Sequence, residues 1–144
     1  MREPAWEALD HTSDLRFLIR GHSEEDLFAN ALEAVLAQIV EPQFVCVKER
    51  RVISLTSETP LERFLDWLRE LLYVVITQGF LVSRAERITL SNDETGYRLD
   101  AVLEGEMIDL KRHKLMHEVK TVTYQELSFG LKAGFWEARV VFDV

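Results

Sequence analysis

The residues whose types and spacing could do chemistry lie mainly near the two ends of the chain. Asp10, His11 and Asp14 fall together, with the hydroxyls of Thr12 and Ser13 between them. Asp, Ser and Thr side chains at such density suit an ordinary turn, because they bond nearby backbone groups, and spacing alone favours that reading. At the other end Asp143 interrupts the apolar run Val140, Val141, Phe142 and Val144. A carboxylate there, beside the α-carboxylate of Val144, concentrates negative charge at a strand terminus. A hard cation would offset the repulsion, since calcium and magnesium take carboxylate and carbonyl oxygens. Spacing alone does not bring Asp14 to Asp143.

Three other constellations are weaker. Asp109, His113 and His117 are spaced by four, which on a helix would place them on one face as some zinc sites require. The segment 107–116 is a poor helix and offers no fourth ligand, so a polar connecting turn is the preferred reading. Cys46 sits between Val45 and Val47 in a stretch read as strand, where a small thiol filling the core is expected. The glycines are scattered singly, which excludes the usual phosphate-cradling loops. Trp6, Trp67 and Trp136 fall inside helix or strand patterns and are expected in the core rather than stacking on bases.

The elements that must position these residues are legible from periodicity. Ser23, with Asp26 three residues on, caps a helix whose apolar face is Leu27, Phe28, Ala31, Leu32, Val35, Leu36 and Ile39; Pro42 ends it. Thr59, Pro60 and Glu62 open a second helix with the stripe Phe64, Leu65, Leu68, Leu71, Leu72 and Val75, stopped by Gly79. Period-two alternation marks strands around Leu15–Ile19 and over 44–55, 80–90, 97–104, 119–129 and 135–142. Hairpin loops are expected at 92–96 and 130–134. The order predicts an α+β fold, a two-layer arrangement with two long helices packed on a mostly antiparallel β-sheet, as a single domain over 1–144.

Composition bounds the partners. Apolar residues are 47% and charged residues 29% of the 144, a globular balance. No apolar run is long enough to span a bilayer, the first residues carry no export-signal core, and Cys46 is the single cysteine, so the chain reads as cytoplasmic. A formal net charge of −8 argues against strong nucleic-acid binding by the chain itself, because gripping phosphate needs a basic surface. The basic run Lys111, Arg112, His113 and Lys114 reads as a solvated loop.

The stretch Trp6 to Asp14, ending Asp-His-Thr-Ser-Asp, resembles the opening signature of the archease family. Glu118 to Tyr124 is similar to that family's Val-Lys-Ala-Val-Thr-Tyr segment, and Ala138 to Val144 to its close. The helix Phe64 to Tyr73, and Gly105-Glu106 through Asp109 and His113, add to a resemblance over essentially the whole chain. Ser13 stands where the family usually has Ala, and Gln125 where many members have His, which puts any contribution of that His in doubt here.

The resemblance implies a protein that activates the GTP-dependent RNA-splicing (tRNA) ligase by promoting its guanylylation and multiple turnover, without ligase activity of its own. It implies a divalent cation site, calcium in that family, carried over to Asp14, Asp143 and Val144 and assembled by pairing of the terminal strands. His11 and Lys120 are candidate partner or phosphate contacts, with a plain exposed strand lysine an equal reading of Lys120. The alternative is a chaperone-like modulator of protein interactions. A small metal-dependent hydrolase using His11, Asp14 and Asp143 is weaker, since no general base stands beside a convincing metal motif.

Overall fold

The computed structural model describes residues 4–9 and 14–144. The strands β1 (Trp6–Leu9), β2 (Asp14–Gly21), β7 (Phe135–Asp143) and β6 (Thr121–Lys132) form one antiparallel sheet in the spatial order β1-β2-β7-β6. The strands β3 (Glu49–Ser57), β5 (Gly96–Met107) and β4 (Phe80–Asp93) form a second, in the order β3-β5-β4. Helix α1 (Glu24–Ile39) packs against β2 of the first sheet and β4 of the second; α2 (Pro60–Leu72) packs against β6 of the first and β3 and β5 of the second. The α+β class and the antiparallel pairing are as the sequence predicts, but the strands divide into two sheets where one was expected. Alternation reports which face a residue takes, not which strand lies beside it.

Local chemistry explains the helix limits. Ser23 Oγ accepts the Asp26 N–H, and Asp26 Oδ2 in turn accepts the His22 N–H at 2.9 Å. Thr59 Oγ1 accepts the Glu62 N–H, with Pro60 at the first helical position where its missing donor costs nothing. After Leu72 the helix widens into a π turn over Tyr73–Thr77, and Gly79 closes it at φ 67°, a left-handed conformation that glycine adopts freely. The hairpin between β6 and β7 turns at Ala133 and Gly134, both at positive φ, a two-residue turn whose twist matches that of the strands it joins.

One contiguous core joins the elements, with Trp67, Phe17, Phe28, Phe64, Phe80 and Phe142 among its fully buried side chains. Phe28 meets Phe64 edge-on at 5.2 Å between ring centroids, and Trp67 Nε1 donates to the Phe28 carbonyl at 2.9 Å, so the one polar atom of the indole is satisfied. All three tryptophans lie in elements, Trp67 wholly buried and Trp6 and Trp136 packed against the core. No helix is long and apolar enough to cross a membrane among the described residues.

Arg63 is the polar tie across this core. Its guanidinium, on a residue 4% exposed, pairs with Glu24 at 2.9 Å and donates to the carbonyls of Ser91 and Arg98 at 3.0 and 3.2 Å. It thereby fastens α2 to the start of α1 and to the β4–β5 hairpin. Arg63→Ala would strand the Glu24 carboxylate and two carbonyls. The expected loss is about 3 kcal/mol of unfolding free energy, read by urea denaturation; a loss below about 1 kcal/mol would show that the tie is not structural.

Candidate functional site: the carboxylate corner of the four-stranded sheet

Strands β2 and β7 pair so that Asp14 lies directly opposite Asp143, and β6 continues the row with Thr121 opposite Asp143. Residues facing each other in an antiparallel pair share a face, with Cβ atoms about 5 Å apart. Leu15, Phe17, Ile19, Val140 and Phe142 point into the core, so Asp14 and Asp143 share the opposite face. Like charges so placed repel unless something positive offsets them.

Arg16 does part of that work. Its Nε donates to Asp14 Oδ1 at 3.0 Å, and its other arm pairs with Glu126. Asp14 Oδ2 and the Asp143 carboxylate have no partner among the described residues. Glu126 reaches Arg16 because β6 breaks register between Thr123 and Ser128, with Glu126 itself at φ 53°. The bulge lifts Tyr124, Gln125 and Glu126 out of the ladder. Tyr124 then stacks against Arg69, whose Nη2 donates to the Tyr124 hydroxyl at 2.9 Å. Gln125, the departure from the family pattern, is exposed on this bulge, its N–H donating to Thr123 Oγ1.

Lys120 adjoins the corner. Its backbone N–H donates to the Asp143 carbonyl at 2.9 Å, and it lines a shallow groove of about 220 Å³ with Arg69, Tyr73, Thr77 and Thr121. Val144 follows Asp143, 42% exposed. His11 lies outside the described residues, as do Asp10, Thr12 and Ser13. No group of three or more His, Cys, Asp or Glu side chains is disposed to hold a metal among the described residues. What the described residues bring together at the corner is the pair of facing carboxylates, Asp14 and Asp143, with Val144 next in sequence. Carboxylate oxygens are hard donors of the kind calcium and magnesium favour.

The second imidazole-bearing cluster is something else. Residues 109–113 form a turn, not a helix, and His113 is buried at 2% exposure. Its Nδ1 accepts the Asp109 N–H at 2.9 Å, which assigns the ring proton to Nε2, facing the Phe44 carbonyl and Glu106 Oε2 at 3.1 and 3.2 Å. Both ring nitrogens are engaged, so His113 is a structural plug. His117 stands elsewhere, its N–H on the Gln38 carbonyl.

Cys46 also departs from expectation. The strand begins at Glu49 rather than Phe44, and Cys46 is exposed in the preceding loop. The loop is held by a buried carboxylate: the Cys46 N–H donates to Glu106 Oε2 at 2.6 Å, while Arg112 and Lys48 reach Glu106 Oε1. Sequence reasoning misses the buried carboxylates of Glu104 and Glu106. Nothing local marks them, because they continue the polar positions Arg98 and Asp100 that alternate with Leu99, Ala101 and Leu103 in β5.

Comparison with known proteins places the fold. The model of the Archease protein family matches residues 6–144. The chain belongs to the archease family. Archease from Methanosarcina barkeri is 35% identical over 140 residues, covering 96% of this chain and 95% of its own. Archease from Methanothermobacter thermautotrophicus is 31% identical over 139 residues, covering 96% and 98%. The solution structure of protein 1598 from Methanobacterium thermoautotrophicum superposes with a TM-score of 0.83 at 29% identity, covering 97% of this chain and 99% of that one. An archease from Thermotoga maritima shares the fold at a TM-score of 0.60 and 23% identity, covering 100% and 98%.

Glu106 gives the archease fold a measurable acid limit. The Cys46 N–H, joined by Arg112 and His113, outweighs burial and holds its carboxyl at about 2 against an ordinary 4.5. Because the folded value is the lower one, the carboxylate's stabilising effect is fully present above about 4.5 and is lost as pH falls toward about 2. In urea titrations across this window, Glu106→Gln is expected to lower stability at neutral pH and to flatten the acid limb. An acid limb as steep as wild type would show that Glu106 does not set it.

Proposed function

We propose that this chain is an accessory protein, a single domain acting in the cytoplasm, that activates the GTP-dependent RNA-splicing ligase. It promotes guanylylation and turnover of that enzyme and joins no RNA itself. Family membership over residues 6–144 supports the partner. The observation that carries the site is the facing register of Asp14 and Asp143.

In this reading Asp14, Asp143 and an oxygen of Val144 would hold a divalent cation, calcium by family analogy. When bound, the ion supplies concentrated positive charge at the edge of the sheet. The chain's own groups set the surroundings: Arg16 fixes one oxygen of Asp14, leaving the other toward Asp143 or solvent. Lys120 adds a cation beside the groove, suited to a phosphate or carboxylate of the partner. Nucleotidyl transfer depends on positioning and charge stabilisation more than on covalent chemistry from the protein, so a docked accessory group of this kind can raise its rate.

The test adds purified protein to the ligase at low ligase concentration and measures both guanylylated ligase and joined RNA. Wild type is expected to stimulate both. Asp14→Ala and Asp143→Ala, checked for unchanged circular dichroism, are expected to lower stimulation at least about tenfold, as for other removed charge-positioning groups. Calorimetric calcium binding should weaken in the same variants. Stimulation that survives both substitutions would remove the corner from the activity, and no stimulation by wild type would remove the activity itself.

A further inference from the structure

The outer face of the sheet β3-β5-β4 carries a feature that the carboxylate corner does not use. On this face Arg50 and Arg84 flank Glu104 from the two neighbouring strands. Glu104 is only 4% exposed, while the Arg50 and Arg84 side chains are 65% and 68% exposed. Arg84 Nε lies 2.8 Å from Glu104 Oε1, and Arg50 Nε lies 3.6 Å from Oε2 and 3.2 Å from Glu86. Both guanidiniums are thus anchored through Nε. Their terminal Nη groups donate no hydrogen bond among the described residues.

The next row across the sheet is Val52, Val102 and Arg87. Val52 is 79% exposed, and Arg87 is exposed with no ion pair among the described residues. Two register breaks in β4, between Val82 and Arg84 and between Ala85 and Arg87, keep both arginines on this face. The result is an apolar centre with three arginines beside it, two of them held by a carboxylate sunk beneath the surface. It stands out in a chain whose net charge is −8.

We propose that this face docks a protein surface that presents carboxylates around an apolar contact. Anchoring through Nε stiffens the two guanidiniums before binding, and their outward N–H groups match the paired oxygens of a carboxylate. Arginine is among the residues enriched at protein interfaces and at their energetic centre. RNA fits less well: the residues that make the face include no aromatic side chain on which an unpaired base could stack. The inference rests on the reading above in that the ligase is the partner to be tested, and it supplies that partner with a holding surface separate from the cation corner.

The experiment measures binding of the ligase to the full chain by surface plasmon resonance over a range of salt, alongside stimulation of guanylylation. Two substitutions that leave the Glu104 anchor intact, Arg87→Glu and Val52→Glu, are expected to weaken binding at least about tenfold when combined. They are also expected to flatten its salt dependence. Arg50→Lys with Arg84→Lys keeps the charge over Glu104 but removes the free Nη groups, and is expected to weaken binding several-fold with unchanged thermal stability. In excess, both variants should still stimulate, because the corner is untouched, whereas Asp14→Ala should bind and fail to stimulate. If wild type binds and stimulates but the Arg87/Val52 variant binds equally well, the docking inference is overturned and the activator reading stands. Wild type that neither binds nor stimulates overturns both.

Discussion

The antiparallel register of β2 against β7 is the constraint on which the rest of the structure depends. Its partners alternate between Leu15–Phe142, Phe17–Val140 and Ile19–Ala138 on the core side and Asp14–Asp143, Arg16–Val141 and Leu18–Arg139 on the other. A slip of one residue would turn Phe17 and Ile19 out of the core and break the carboxylate pair in the same step. Burial of the inner set, with Phe17 and Phe142 in edge-on contact at 6.0 Å, therefore specifies the outer set. The facing acids cost repulsion, and the core holds them there regardless. This is how a fold can keep a locally unfavourable charge pair available for a cation or a partner.

The second sheet handles buried charge differently. Glu104 and Glu106 lie on the outward side of β5, each covered by two cations: Arg50 and Arg84 over the first, Lys48 and Arg112 over the second. Removing either acid from water is tolerable because the pairing and hydrogen bonds are in place. Glu106 also anchors the loops at 44–46 and 109–113, while the N–H groups of Met116 and His117 bond carbonyls at the end of α1. The long connection 108–120 is thereby pinned at both of its ends, and it delivers Lys120 next to Asp143.

Much of this is legible in the sequence, for reasons that differ by element. Both helix starts can be read because a capping hydroxyl and its partner three residues on are a local signal, and both apolar stripes are strong. The hairpin turns at Asp93–Gly96 and Lys132–Phe135 follow from Gly96 and Gly134, which sit where the chain needs positive φ. The facing of Asp14 and Asp143 is reached only through family resemblance, since a contact between residues so far apart in sequence leaves no periodic trace. The division into two sheets, the π turn after Leu72 and the bulge at Tyr124–Leu127 depend on tertiary pairing and leave no local signal. Cys46 is misread because Val45 and Val47 imitate a strand, while the segment is shaped by the distant carboxylate of Glu106.

The two sheets divide the electrostatics of the molecule. The four-stranded sheet ends in acids only partly neutralised by Arg16; the three-stranded sheet sinks Glu104 and Glu106 and leaves the Arg50, Arg84 and Arg87 guanidiniums exposed beside the half-exposed Glu86 and Asp100. A net charge of −8 therefore does not describe what a partner meets on either surface. Long-range attraction or repulsion follows the total, but within a Debye length of about 8 Å at physiological salt a partner responds to the local face. One face is thus suited to cations and the other to carboxylates. On the reading proposed above, the second face holds one region of the partner while the first presents hard oxygen ligands to another.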